Sequence, residues 1–283
     1  MKNNLKTAVL LAAIGGLMVV VGAGLGGRGG AAIGLLIGLV VVGSSYWFSD
    51  KLAIRAAGAV EVDEQQMPRY HATVRDLCQR ADMPMPRLYV SPDPQPNAFA
   101  TGRNPKHAAV CVNQGILDVL TWEELQGVLA HEISHVRNRD ILISSVAAAV
   151  ATGITFLAQM AMWASLFGGG GDRDRDQNPF ATLALLLLAP IAASFLQMAL
   201  SRNREYEADR RGALLLGDGE PLAAALEKLD RGTHLVPSAV SPQQATAYIA
   251  NPLAGQRVQF KSLWSTHPPM EERIRRLRSG TWR

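Results

Sequence analysis

A chain of 283 residues that is 48% hydrophobic and only 18% charged is too apolar for an ordinary soluble protein of its length, which points to membrane segments. Its formal charge of +4 suits a membrane protein with one basic side, and without any basic run interleaved with aromatics it argues against nucleic-acid binding. Cys78 falls on a helical apolar stripe with Val74, Leu77 and Ala81, and Cys111 sits in an alternating run. Both therefore read as small core residues, neither ligands nor a disulfide.

In chain order, four uncharged stretches come into view at 7–27, 29–49, 141–171 and 177–201. Each can supply the roughly 20 apolar residues of a spanning helix. The first is too long for a signal peptide, and a second stretch follows at once. Gly30, Gly34 and Gly38 recur every four residues in the second stretch, a spacing that lets another helix approach closely. Lys2 and Lys6 precede the first stretch, Lys51 and Arg55 follow the second, and Arg202, Arg204, Arg210 and Arg211 follow the fourth. This Lys/Arg bias places both termini and the two long polar segments in the cytoplasm. The expected fold is a mainly α membrane protein with four transmembrane helices and a cytoplasmic α+β domain holding a small sheet. The expected division is 1–49 and 141–200 for the two helix pairs, and 50–140 and 201–283 for the two halves of the cytoplasmic domain.

Within 50–140 the pattern predicts a helix at 69–81, a strand at 87–90, an extended run at 97–101 and a strand at 108–113. A long helix follows, opened by a Thr121/Glu124 capping box and given an apolar face by Leu125, Val128 and Leu129. That helix carries His131-Glu132-Ile133-Ser134-His135. Histidines at i and i+4 leave one helix face together, and two neutral imidazoles one turn apart suit a zinc ion. Glu132, beside them, can serve as general base for an attacking water.

A catalytic zinc needs a third protein ligand and an open position. Asn138 and Ile141 stand where a metzincin would have glycine and histidine, so that class is excluded. The best candidate is Glu205. His135 lies just before the third apolar stretch and Glu205 just after the fourth, so two passes return the chain to the same height on the same side. Glu207 is the rival but points about 200° away from Glu205 on a helix. Asp209, one turn beyond Glu205, could hold a ligand histidine through its other ring nitrogen. His267, in a Pro-rich turn, and Arg273 are candidates to donate to the oxyanion. Asn97, Ala98, Phe99 and Ala100 form a short extended run that could hold a substrate peptide as an added strand. His71, His107 and His234 read as surface residues.

These residues together resemble the HtpX-type membrane metallopeptidases, relatives of the CAAX prenyl endopeptidases. The resemblance runs over nearly the whole chain: the segment from Asn97 to Gly102, Ala130 to Val136 with Asn138 and Asp140, Ser201-Arg202 with Arg204-Glu205-Tyr206 and Ala208-Asp209, and Thr266 to Pro269 with Glu272-Arg273-Ile274. It implies a gluzincin-like site, with one Zn²⁺ on His131, His135 and Glu205 and with Glu132 as base. It further implies a multi-pass protein of the bacterial inner membrane that acts in protein quality control on polypeptide substrates, chiefly membrane proteins. A homo-oligomer is compatible with the sequence. Two other classes are a zinc-binding scaffold without activity, which would not need Glu132, and a transporter, which would usually carry ionisable residues inside its spans.

Overall fold

The computed structural model describes residues 2–144, 202–238, 240, 245–253 and 268–283. His267 and nearly all of the third and fourth apolar stretches lie outside them.

Helix α1 takes Lys2–Ala56, but it is not one straight rod. Gly27 has φ +58°, a left-handed conformation that glycine adopts without strain. A Cβ placed on Gly38 would stand 3.2 Å from the Met18 Cβ and 3.5 Å from the Gly15 Cα. In a straight helix residues 15 and 38 would be about 35 Å apart at 1.5 Å per residue. The two limbs therefore double back around Gly27 and pack at Gly15 and Gly38, where the absence of side chains permits close approach. Among the described residues no helix is both long and apolar enough to cross a membrane. Many side chains of residues 2–45, and all of 145–201, are outside that description.

Beyond α1 a four-stranded sheet forms from β1 (Val60–Glu61), β2 (Arg87–Ser91), β3 (Ala98–Gly102) and β4 (Ala108–Asn113), in the order β1-β2-β4-β3. Strands β2 and β4 pair in parallel, while β3 and β4 form an antiparallel pair with Ala98 opposite Val112. Helix α2 (Pro68–Arg80) begins with proline at its first turn, where a missing N–H costs nothing. Its face of Tyr70, Val74, Leu77 and Cys78 is buried. Helix α3 (Gln114–Val119) is a short connection into α4 (Trp122–Asn138), which opens with the full capping box between Thr121 and Glu124.

Helix α4 is the centre of the fold. Leu125, Val128, Leu129, Ala130, Ile133 and Val136 are all buried in one core with residues of the sheet and of α2. Two later helices, α5 (Arg202–Leu216) and α6 (Glu220–Leu235), pack on α4, and α7 (Met270–Arg278) packs on both of them. Lys228 of α6 reaches the capping glutamate Glu124 at 2.8 Å, which ties α6 to the start of α4. Cys78 and Cys111 are buried and free of any disulfide; burial pushes each thiol up to about 12.

Candidate metal centre

Helix α4 enters the core with its polar centre enclosed: His131 is fully buried and Glu132 is 2% exposed. Polar groups in such a place need partners. Helix α5 supplies them by coming unusually close. A Cβ on Gly212 would stand only 3.0 Å from the His131 backbone nitrogen, so glycine at that position lets α5 lie against the histidine-bearing turn. Glu205 and Asp209, one turn apart on α5, are thereby aimed at α4, and both are buried.

The side chains converge on a point. The Nε2 atoms of His131 and His135 are 3.1 Å apart. Glu205 places one oxygen 3.4 Å from His135 Nε2 and the other 3.8 Å from His131 Nε2. Ligand atoms of all three residues fall within 4.8 Å of one another. A tetrahedral ion with bonds of about 2.1 Å separates its ligands by about 3.4 Å. The 3.1 Å between the two nitrogens and the 3.4 Å from His135 to one Glu205 oxygen lie close to that spacing, and the other Glu205 oxygen faces His131. Two imidazoles and one carboxylate are also the donor types that a catalytic divalent ion of the zinc kind takes.

Each histidine is held from behind. Asp209 Oδ1 stands 2.9 Å from His131 Nδ1, close enough to act through charge although the angle is poor for a hydrogen bond. Asp140 Oδ2 stands 3.2 Å from His135 Nδ1. Asp140 reaches it because α4 stops at Asn138 and Arg139 turns left-handed, at φ 60° and ψ 28°, before helical backbone resumes at 140–144. Carboxylates behind metal-binding imidazoles fix the tautomer and raise the basicity of the ligand. Asp140 stands in the sequence motif quoted above, but only the turn at Arg139 gives it this contact.

Arg273 of α7 is fully buried and makes a two-pronged ion pair with Asp209, at 2.8 and 2.7 Å. It also donates to the Ile249 carbonyl at 3.0 Å and stands 3.8 Å from Glu205. Its guanidinium thus faces the rear of the ligand set. Burial alone would raise the Asp209 pKa, but Arg273 prevails and holds it below the ordinary carboxylate range. Burial lowers the His131 pKa, as expected for an imidazole away from water. Burial also opposes charge on His135, yet Glu205 and Asp140 outweigh it and raise its pKa to about 10. A metal ion would have to displace that proton. Burial raises the Glu132 pKa to about 7, which is the range a general base needs near neutral pH.

The rival ligand Glu207 is turned away and pairs with Arg211 at 2.6 Å. His107 and His234 are exposed, and His71 contacts the Val62 carbonyl at 2.9 Å. The extended run also has its own order. The Ala98 carbonyl accepts from the Ile249 amide at 3.0 Å, and Phe99 bridges Tyr248. The Asn97 side chain clasps both backbone groups of Ala250, at 2.8 and 3.2 Å. Residues 248–250 therefore cover the start of the β3 edge. Ala100 remains at the cleft, and its backbone amide lies near enough to Glu132 to favour the ionised carboxylate.

The structure so described can do one thing well: hold a divalent ion beside a carboxylate of near-neutral pKa. That is the equipment of a metallopeptidase. The chain belongs to peptidase family M48, whose family profile matches residues 64–281. A protease HtpX homologue from Syntrophotalea carbinolica is 50% identical over 281 residues and covers 99% of each chain. Another from Burkholderia thailandensis is 50% identical over 280 residues, with 98% of this chain and 96% of that one covered. Among solved structures, the crystal structure of S. mikatae Ste24p matches 98% of this chain and 65% of its own length, at a TM-score of 0.51 and 18% identity. That likeness concerns the fold alone. The resemblance read from the motifs is borne out.

Proposed function

We propose that the protein is a membrane-embedded zinc endopeptidase in which His131, His135 and Glu205 hold one Zn²⁺ and Glu132 is the general base. The observation that carries this is the convergence of three ligand side chains from two helices on one point, next to a buried glutamate. Bound there, zinc would polarise the scissile carbonyl and lower the pKa of the attacking water. Glu132 takes the proton from that water and returns it to the leaving amine. The Ala100 amide favours the ionised form of that carboxylate, and β3 beyond Phe99 offers its edge to an extended substrate. Asp140 and Asp209 hold the two imidazoles. Arg273 acts as a positioning residue through Asp209, which accounts for its burial better than a role as oxyanion donor. His267 is kept as the candidate donor to the oxyanion.

The apolar stretches at 7–27, 29–49, 141–171 and 177–201 support four spans, and the doubling back of α1 brings Lys2 and Lys51 toward one end. On this reading 1–49 and 141–200 are the membrane parts, and 50–140 with 201–283 form the catalytic domain on the cytoplasmic face of a bacterial inner membrane. Its substrates are membrane or misfolded proteins with accessible cytoplasmic segments. Zinc content and casein cleavage, measured together on wild type and Glu132→Gln, test the assignment. One zinc per chain in both, with cleavage in wild type only, is the expected result. Cleavage by the variant would remove Glu132 as base, and absence of zinc from both would remove the metal assignment.

A further inference from the structure

A second cleft, of about 480 Å³, lies away from the metal centre, where the second limb of α1 ends against the turn between β3 and β4. Its composition is distinctive. Lys51, Arg87, Arg103 and Lys106 line it together with a single carboxylate, Asp50. Asp50 is already paired to Arg87. Among the described residues, Lys51, Arg103 and Lys106 have no carboxylate within ion-pair distance.

Aromatic side chains complete the cleft. Trp47 is 57% exposed and Phe48 49% exposed. The Arg103 guanidinium lies 4.6 Å over the Trp47 ring and donates to the Trp47 carbonyl at 3.2 Å. Lys51 stands 5.8 Å from the Phe48 ring centre. One turn or more earlier on α1, Ile33, Leu36, Leu39 and Val40 are all exposed. Along α1 the order is thus bare apolar face, aromatic pair, then cations. Hydrocarbon, interface and headgroup follow one another in the same order in a bilayer.

We infer that Lys51, Arg103 and Lys106, with Trp47 and Phe48 beside them, form a binding site for the phosphodiester headgroup of an anionic phospholipid. This rests on the membrane reading above and adds to it a particular site with a charge preference. Arg103 matches a phosphate because its planar fork presents two N–H groups to two oxygens. Lys51 and Lys106 add positive charge on either side. The aromatic pair fixes the depth at which the headgroup meets them.

The full chain in neutral detergent is titrated with dihexanoyl phosphatidylglycerol, dihexanoyl phosphatidylcholine or inorganic phosphate, and bound lipid is read by native mass spectrometry. The expected result is preferential retention of phosphatidylglycerol, undiminished by inorganic phosphate at matched concentration. In Arg103→Gln and Lys106→Gln the preference should fall by about fivefold for each cation removed, with metal content unchanged. Arg231→Gln, outside the patch, should leave it unaltered. Equal retention of both lipids by wild type, or an unchanged preference in the variants, overturns the inference. Displacement by inorganic phosphate identifies a site for free phosphate and also overturns it. Flotation with phosphatidylcholine vesicles separates the two readings: a chain that floats without lipid preference loses only this site, whereas one that does not float loses the membrane reading itself.

Discussion

At the scale of single residues, the proposed metal centre would depend on carboxylates that stand behind its ligands. Asp140 holds His135 by one contact of 3.2 Å. Removing such a partner typically weakens metal affinity 10- to 100-fold, by order of magnitude. Asp140→Ala should therefore show that loss in chelator competition, and Asp140→Asn, which still accepts a hydrogen bond, should show less of it. Equal affinity in wild type and Asp140→Ala would show that the contact does not hold the ligand. Arg273 and Asp209 form a different kind of pair, fully enclosed and two-pronged. Breaking one half of a buried pair leaves the other charge uncompensated, at a cost of about 3–5 kcal/mol. Arg273→Ala should lower the melting temperature accordingly. The same pair sets a pH dependence. Because the folded pKa of Asp209 is depressed, its contribution is present above about pH 4, its unfolded value, and is lost as pH falls through the folded one. Stability of wild type should drop on the acid side, and Asp209→Asn should be less stable at neutral pH but show a shallower acid limb. Identical limbs would show that another group governs acid unfolding.

At the scale of elements, the most legible part of the fold in the sequence was the most local. The helix with its capping box, the histidine pair and the strand at 108–113 follow from spacings of a few residues, and they stand where expected. Helix α2 and strands β2 and β3 match the expected ones to within a residue or so at each end. Glu205 was reachable because parity of the apolar stretches is itself a local count. What remained hidden is non-local. No pattern in the chain announces that β2 pairs with β4 in parallel, or that residues 248–250 cover part of β3. The direction of Arg273 toward Asp209 depends on how α7 sits on α5, and the reach of Asp140 depends on one left-handed residue. The capping box offers a direct measurement. Thr121 accepts from the Glu124 amide, and Glu124 in turn accepts from the Thr121 amide and from Lys228. Thr121→Ala should cost about 1 kcal/mol, read as a lower denaturant midpoint with an unchanged slope. Gly212→Ala should act on the site instead. Its new Cβ presses on the His131 backbone, so metal affinity should fall more than global stability does. The reverse order would mean that α5 moves away without disturbing the ligands.

At the scale of the whole molecule, the membrane reading makes the catalytic domain a product of two separate stretches of chain that meet on one side. The structure brings α5 against α4 across 63 intervening residues, from Asn138 to Arg202. If the intervening chain crosses and returns, residues on α7 face the cytoplasm and the Asp-rich segment 172–176 faces the opposite compartment. Single cysteines can decide this with little background. Cys78 and Cys111 are buried, and their thiols are raised to about 12, so they should react slowly with a maleimide. Ser279→Cys should then be labelled by a membrane-impermeant maleimide in inverted vesicles and be protected in intact spheroplasts. Asp174→Cys should show the opposite pattern. Opposite labelling of the two positions requires that the chain between them cross the bilayer an odd number of times. Labelling of both from one side would instead place the 141–200 segment as a hairpin that enters and leaves the same face. In that case Glu205 would still return to the level of His135, because the metal centre needs only that the chain come back.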